Sequence, residues 1–289
     1  MQSRHVSAGR VYSSAFVPSF TPQQIWDKFR FAHAYRVKPA TLSVWQAVAD
    51  RIKFAPSDPN SFLKYLQETT TSYRISNIFA WLGTAYRSAI KKGLVNQNPF
   101  ASLDIPIVDS SSEANPFSQQ EKIKFLEIAQ DSKYDLFVQF LLFTGCRPSE
   151  AVGLTWQQID QQTIRFDRSI TLVDGKPSPS HKSKTNRIRY FPIYERLRTL
   201  LDSCPKQSDL VFPQAGSTDC INYLSFGYWW RTRVKPWKDS TPYTCRDTFI
   251  TDQILSGVPP IIVSQWCDNS VVQIERRYLK VLPNDYLPR

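Results

Sequence analysis

A tyrosine preceded by two arginines, Arg276-Arg277-Tyr278, stands 32 residues after an isolated Arg246. Another arginine lies far upstream in Thr144-Gly145-Cys146-Arg147-Pro148-Ser149-Glu150, and a lysine falls between the two in a stretch that reads as a hairpin. Guanidinium groups are planar, permanently charged and able to donate paired hydrogen bonds to a phosphate. Two separated arginines, a hairpin lysine and a late tyrosine suit one task, which is to hold a phosphodiester while a phenolic oxygen attacks it. A phenol with an ordinary pKa near about 10 is protonated at neutral pH, so the attack needs a positive field and a proton acceptor.

Composition narrows the setting. The chain has 289 residues, 42% of them hydrophobic, with eight tryptophans, enough for one large or two ordinary folded domains. No apolar run approaches the roughly 20 residues that a bilayer span requires, and the first segment lacks the continuous apolar stretch of a secretory signal. A cytoplasmic protein without membrane contact is expected. Five cysteines, Cys146, Cys204, Cys220, Cys245 and Cys267, are odd in number and scattered. They read as reduced, buried thiols rather than a disulfide frame or a zinc site. No motif organises the acidic residues for a metal-dependent nuclease, so neither metal nor cofactor is expected. Net charge is +11, unevenly spread. Residues 1–103 hold 13 Lys/Arg against four Asp/Glu, whereas the remainder holds 23 against 21. The first segment is therefore the expected grip on a polyanion, through phosphate neutralisation and counterion release.

The elements that must position these groups fall into two regions. From about Thr21 to Phe100 the pattern is helical. Thr21-Pro22 forms an N-cap and first helical position, and Ile75, Ile78, Phe79, Leu82, Ala85, Tyr86 and Ala89 stripe a helix over about 74–92. Residues 104–116 carry a serine run, prolines and acidic residues without helical period, and read as a linker. Ser118 and Glu121 then form a capping box, and Asp135 to Phe143 is an apolar helix ended by Gly145. Thr163 to Leu172 and Arg187 to Ile193 read as strands, with Gly175, Pro177 and Pro179 in the connection between them. Helix returns after that.

Four segments in order resemble the tyrosine recombinases, the phage-integrase family. TGCRPSEAVGLTW resembles the first arginine box, and Ser183-Lys184-Thr185 with Arg187 and Phe191-Pro192-Ile193 resembles the hairpin lysine and following strand. Tyr243 to Phe249 resembles the second arginine box, and WCDNSVVQIERRYLK the tyrosine box. Upstream, IKKGLVNQNPF and ANPFSQQE are similar to the end of the family's core-binding domain and the start of its catalytic domain. Four ordered boxes are a far more specific signal than one. The resemblance implies a mainly α fold with a small antiparallel β-sheet. It divides into a SAM-like helical core-binding domain over 12–103, a linker over 104–115, and an α+β catalytic domain over 116–289.

The same resemblance implies roles. Arg147 and Arg246 would clamp the non-bridging oxygens of the scissile phosphate. Tyr278 would be the nucleophile that forms a 3′-phosphotyrosyl bond, Lys184 would protonate the leaving 5′-oxygen, and Glu150 would orient a neighbouring group. The partner would be double-stranded DNA, bound by a free monomer that becomes a tetramer on two synapsed sites, in a bacterial or phage setting at the nucleoid. The chain departs from the usual pattern twice. Tyr243 stands where the second box usually begins with histidine, and Asn269 where histidine or tryptophan is usual. Both can donate hydrogen bonds, but neither buffers near neutral pH as an imidazole does. Two other readings of the fold stay open: a non-catalytic site-specific DNA-binding protein, and a type IB topoisomerase-like nicking-closing enzyme. Candidate DNA contacts are Lys38, Arg51, Lys53, Arg74, Arg87, Lys91 and Lys92 in the first region, and Arg231 and Arg233 in the aromatic segment 226–238.

Overall fold

The protein is described by a computed structural model over residues 20–53, 56, 58–105, 114–173, 175–180 and 188–278. The chain divides into two compact units, Met1–Asp109 and Ser110–Arg289. Among the described residues the first unit holds four α-helices: α1 (Pro22–His33), α2 (Pro39–Ile52), α3 (Pro59–Thr69) and α4 (Ser72–Lys91). Proline opens three of them, where its fixed φ fits and its missing N–H is not needed. Thr21 caps α1 in a reciprocal box with Gln24, while Asp58 and Thr71 cap α3 and α4. Every position of the expected α4 stripe is buried. It packs with Trp26, Trp45 and Phe62 into a core rich in aromatic rings, with Phe62 lying edge-on to Phe79 at 5.6 Å.

The second unit begins with α5 (Gln119–Gln130), opened by the Ser118–Glu121 capping box, and α6 (Asp135–Thr144). A short α7 (Pro148–Val152) follows, then strands β1 (Thr163–Phe166), β2 (Ser169–Val173), β3 (Lys176–Ser180) and β4 (Arg189–Pro192). Helices α8 (Glu195–Ser203), α9 (Tyr223–Arg233), α10 (Thr244–Leu255), α11 (Pro260–Cys267) and α12 (Val271–Tyr278) complete the described chain. Helix α6 is apolar almost all round, and accordingly it is the central element, packed against α5, α7, α8 and α10.

The strands correct the sequence reading. A single strand over 163–172 is instead two, because the chain leaves the first ladder at Asp167-Arg168 and β1 and β2 take different partners. β1 pairs antiparallel with β4, Phe166 opposite Arg189, and β2 pairs antiparallel with β3. The described residues therefore hold two two-stranded sheets rather than one small sheet. Pro177 and Pro179, expected in a connection, lie within β3. They alternate with Lys176, Ser178 and Ser180, so both missing N–H groups fall on the edge turned away from β2 and the ladder loses nothing.

The turn after α6 fixes everything that follows. Gly145 sits in the left-handed region at φ +58° and ends the helix by donating its N–H to the Leu141 carbonyl. A Cβ there would lie 2.5 Å from Cδ1 of Phe249 on α10. Left-handed backbone without glycine costs about 1–2 kcal/mol and overpacking about 1–3 kcal/mol. Gly145→Ala is therefore expected to lower unfolding free energy by about 2–5 kcal/mol in urea titration, and an unchanged midpoint would contradict this account.

Candidate active site

Arg147 follows that turn as the residue before α7, with Pro148 at the first helical position. Glu150, the third residue of the helix, reaches back along the first turn. Its Oε2 accepts the Arg147 backbone N–H at 2.8 Å and its Oε1 accepts from the guanidinium at 2.9 Å. Glu150 Oε2 also accepts from Arg189 on β4 at 2.5 Å, and the Arg189 guanidinium lies 4.0 Å above the Phe166 ring. Glu150 and Arg189 are both buried. Burial works against the Arg147 charge, but Glu150 and Asp268 outweigh it and hold its pKa above the ordinary guanidinium value.

Arg246 lies in the first turn of α10 and is buried. Its Nη1 donates to the Gly145 carbonyl at 2.9 Å and its Nη2 to the Cys267 carbonyl. One residue further along, Asp268 binds Arg147 twice, accepting from Nη1 through Oδ2 at 2.8 Å and from Nη2 through its own carbonyl at 2.9 Å. Both guanidinium groups are thus fixed by the end of α11, and the turn after α6 carries one and anchors the other. A guanidinium has five N–H donors. These bonds use two of Arg246's and three of Arg147's, which leaves three and two for a ligand. Asp268 has φ +50°, the only non-glycine residue with positive φ among those described. Its two bonds to Arg147 hold that conformation, which costs a non-glycine residue free energy.

Tyr278 ends α12 with its ring buried. The phenol donates to Asp247 Oδ1 at 2.7 Å, and Arg277 donates to Oδ2 of the same carboxylate at 3.1 Å. Asp247 directly follows Arg246, so the phenol and the second arginine are held by the same turn of α10. Burial pushes the Tyr278 pKa well up and Asp247 adds to the rise, while Arg277 and Arg246 oppose it. The structure therefore brings together Arg147, Glu150, Arg246 and Tyr278. Arg189, Asp247 and Asp268 complete the cluster and escaped the sequence reading. The available signal was a charged residue within a few positions of apolar ones, Asp247 between Cys245 and Phe249 and Arg189 two positions before Phe191.

Lys184, with its neighbours Ser183, Thr185 and Arg187, lies outside the described residues. Tyr243 precedes α10 and is 51% exposed, whereas Asn269 is half-buried just after α11 with its backbone N–H bonded to the Ser264 carbonyl at 3.1 Å. Of the candidate DNA contacts, Lys38, Lys53, Arg74, Arg87, Lys91, Lys92, Arg231 and Arg233 are exposed, and Arg51 is half-buried with a long 3.4 Å bond to the Thr69 carbonyl. In the aromatic segment Phe226 and Trp230 belong to the core, while Tyr228 faces outward beside Arg231. All five cysteines are free, and burial pushes the Cys146 thiol up to about 12 and those of Cys245 and Cys267 upward. Among the described residues no three His, Cys, Asp or Glu side chains gather as a metal site.

Comparison with known proteins adds a family and a fold. The sequence profile of the phage integrase family matches residues 117–284. The ICEBs1 integrase of Bacillus subtilis (strain 168) is 24% identical over 210 residues, 70% of this chain and 56% of the relative. A protein named tyrosine recombinase XerC-like, from Caldanaerobacter subterraneus subsp. tengcongensis, is 26% identical over 256 residues, 76% of this chain and 65% of the relative. The chain thus spans somewhat over half the length of these curated relatives. Among solved structures, the Tn1549 transposon integrase in complex with a circular intermediate DNA aligns with a TM-score of 0.79 at 19% identity, over 90% of this chain and 95% of that one. That likeness establishes the fold.

Two outcomes follow from the charge network. Glu150→Gln leaves the buried Arg189 guanidinium without its counter-ion, and breaking a buried pair in this way costs about 3–5 kcal/mol. The double variant Glu150→Gln/Arg189→Met is expected to recover part of that loss in urea unfolding; a double loss equal to the sum of the singles would show that the pair is not coupled. For Tyr278 the folded-state pKa is raised, so its stabilising contribution is complete below the ordinary phenol pKa near about 10. It is lost as pH rises from there through the folded value, because the unfolded chain ionises first. The stability difference between the protein and Tyr278→Phe should shrink between pH 9 and 11 in urea titration, and a constant difference would contradict the assignment.

Proposed function

Because the chain belongs to the phage integrase family, we propose that it is a site-specific DNA recombinase or integrase that cleaves and rejoins duplex DNA through a 3′-phosphotyrosyl intermediate. The observation that carries this reading is the shared anchorage of two guanidinium groups, each with donors left over, beside a helix turn that also holds a tyrosine phenol. Arg147 and Arg246 take the two non-bridging oxygens and neutralise the charge that grows on the pentacovalent phosphorus. Tyr278 Oη attacks the phosphorus, and the 5′-oxygen leaves with a proton supplied by Lys184. Tyr243 and Asn269 donate hydrogen bonds to the phosphate from the positions where imidazole or indole is usual. Glu150 supports Arg147 from behind.

The phosphodiester energy is stored in the protein–DNA bond, so attack by a 5′-hydroxyl from another strand reseals the duplex without ATP. The arginines supply the charge that a metal would otherwise bring, and the reaction as proposed uses no cofactor. The basic helical region grips the duplex through the exposed lysines that flank α2 and the exposed lysines and arginines along and just after α4, with Arg231 and Arg233 adding phosphate contacts from α9. Exchange between two sites requires four active centres, hence a free monomer that assembles as a tetramer on synapsed DNA in the cytoplasm of a bacterial host. The Tn1549 integrase, whose fold this chain shares, is itself bound to a circular intermediate DNA.

A nicked suicide duplex, from which the 5′-terminal fragment escapes after cleavage, tests the proposal on denaturing gels in EDTA. The protein is expected to form a covalent adduct that Tyr278→Phe abolishes, and Arg147→Ala or Arg246→Ala should slow adduct formation by about 10²–10³-fold. Tight site-specific binding without adduct at any pH would overturn the proposal in favour of a non-catalytic DNA-binding protein. Relaxation of supercoiled plasmid lacking paired sites would replace it with a topoisomerase-like enzyme.

A further inference from the structure

Resting on that reading, we propose that Asp247 is the catalytic residue that accepts the Tyr278 proton as the phenolic oxygen attacks phosphorus. The phenol already donates to Asp247 Oδ1 at 2.7 Å, within the range required of a general base in contact with its proton. The carboxylate is held from two other directions, by Arg277 at 3.1 Å on Oδ2 and by the Asn115 backbone N–H at 3.4 Å. Asp247 is itself buried, so water does not compete freely for its lone pairs. The positions where an imidazole is usual hold Tyr243 and Asn269, neither of which is basic near neutrality. An acceptor in direct contact is needed all the more because burial and Asp247 itself disfavour free phenolate.

A carboxylate is a much weaker base than a phenolate, so complete transfer before attack is uphill. Transfer coupled to bond formation is not, because the phenolic oxygen loses its basicity as it bonds to phosphorus; protein kinases use an aspartate in the same way toward a substrate hydroxyl. In cleavage the Oη–P bond forms while the Oη–H bond breaks, its proton passing to Asp247 Oδ1. The P–O5′ bond breaks and that oxygen takes its proton from Lys184. Resealing reverses each transfer, and Asp247 returns the proton to Oη. The charged and titratable groups around the pair are Arg277 on α12 and Arg246 and Cys245 on α10, with the Cys245 thiol kept neutral by burial. Of the other helices packed on α10, α11 contributes only the Cys267 thiol, α6 only Asp135 at the end remote from Gly145, and α5 contributes Lys122, which is paired with Asp252 at 2.7 Å.

The test is single-turnover adduct formation on the suicide duplex between pH 5.5 and 9.5. The protein should show a rate that is flat around neutrality. Asp247→Asn should react about 10²–10³-fold more slowly at pH 7 and gain close to tenfold per pH unit, as hydroxide takes over the proton. Asp247→Glu keeps a carboxylate and should keep the flat profile at a reduced rate, which preserves the test if the asparagine variant unfolds. Asp247→Asn reacting at the parent rate, or slowed by one constant factor at every pH, would overturn the assignment, as would a sloped profile for Asp247→Glu. Absence of any adduct from the unaltered protein would instead remove the proposed function on which the inference rests.

Discussion

A buried guanidinium must find acceptors for its N–H groups, and Arg246 finds two carbonyls at the ends of helices. The Gly145 carbonyl closes α6 and the Cys267 carbonyl closes α11. The last carbonyls of a helix lack intrahelical partners and carry the negative end of its dipole, so the two termini and the cation satisfy one another. Three segments that are remote in sequence are thereby tied at a single point. The left-handed turn at Gly145 serves this arrangement, because it lets α10 approach closely enough for Phe249 to fill the space a side chain would occupy. Arg147 and Asp268, one or two residues beyond those carbonyls, inherit their positions from the tie.

The surrounding charges form an alternating set rather than a uniform positive patch. Arg147, Arg189, Arg246 and Arg277 are interleaved with Glu150, Asp247 and Asp268, leaving one net positive charge among these seven. Each carboxylate offsets the repulsion and desolvation that a cluster of bare guanidinium groups would suffer in a buried setting. The small residual charge matches a single anionic diester. The first region differs: its candidate cations are exposed save for the half-buried Arg51, and it holds few acidic residues. One part of the chain has its charge fixed in place, and the other presents it to solvent.

What the sequence made legible were features encoded within a few residues. The N-cap at Thr21, the capping box at Ser118, the buried stripe of α4 and the glycine stop after α6 all rest on local spacing, and all are present. Arg147, Glu150, Arg246 and Tyr278 were legible because each stands in a box with a recognisable order. The partners that hold them were not. Asp247 meets Tyr278 across 31 positions, Arg189 meets Glu150 across 39, and Asp268 meets Arg147 across 121. No periodicity spans such distances, so an inward-facing charge in a buried segment was the only trace. The strands failed for a related reason: β-formers continue through residues 163–172, and only the choice of partner divides them.

The prolines of β3 have a consequence beyond their own ladder. Free strand borders invite a second chain to zip alongside, and two-stranded ribbons expose such borders on both sides. Pro177 and Pro179 leave the outer border of β3 without two of its hydrogen-bond donors, and their rings crowd any incoming backbone. That ribbon cannot readily be extended on this side, so at least one of its edges is closed to uncontrolled association.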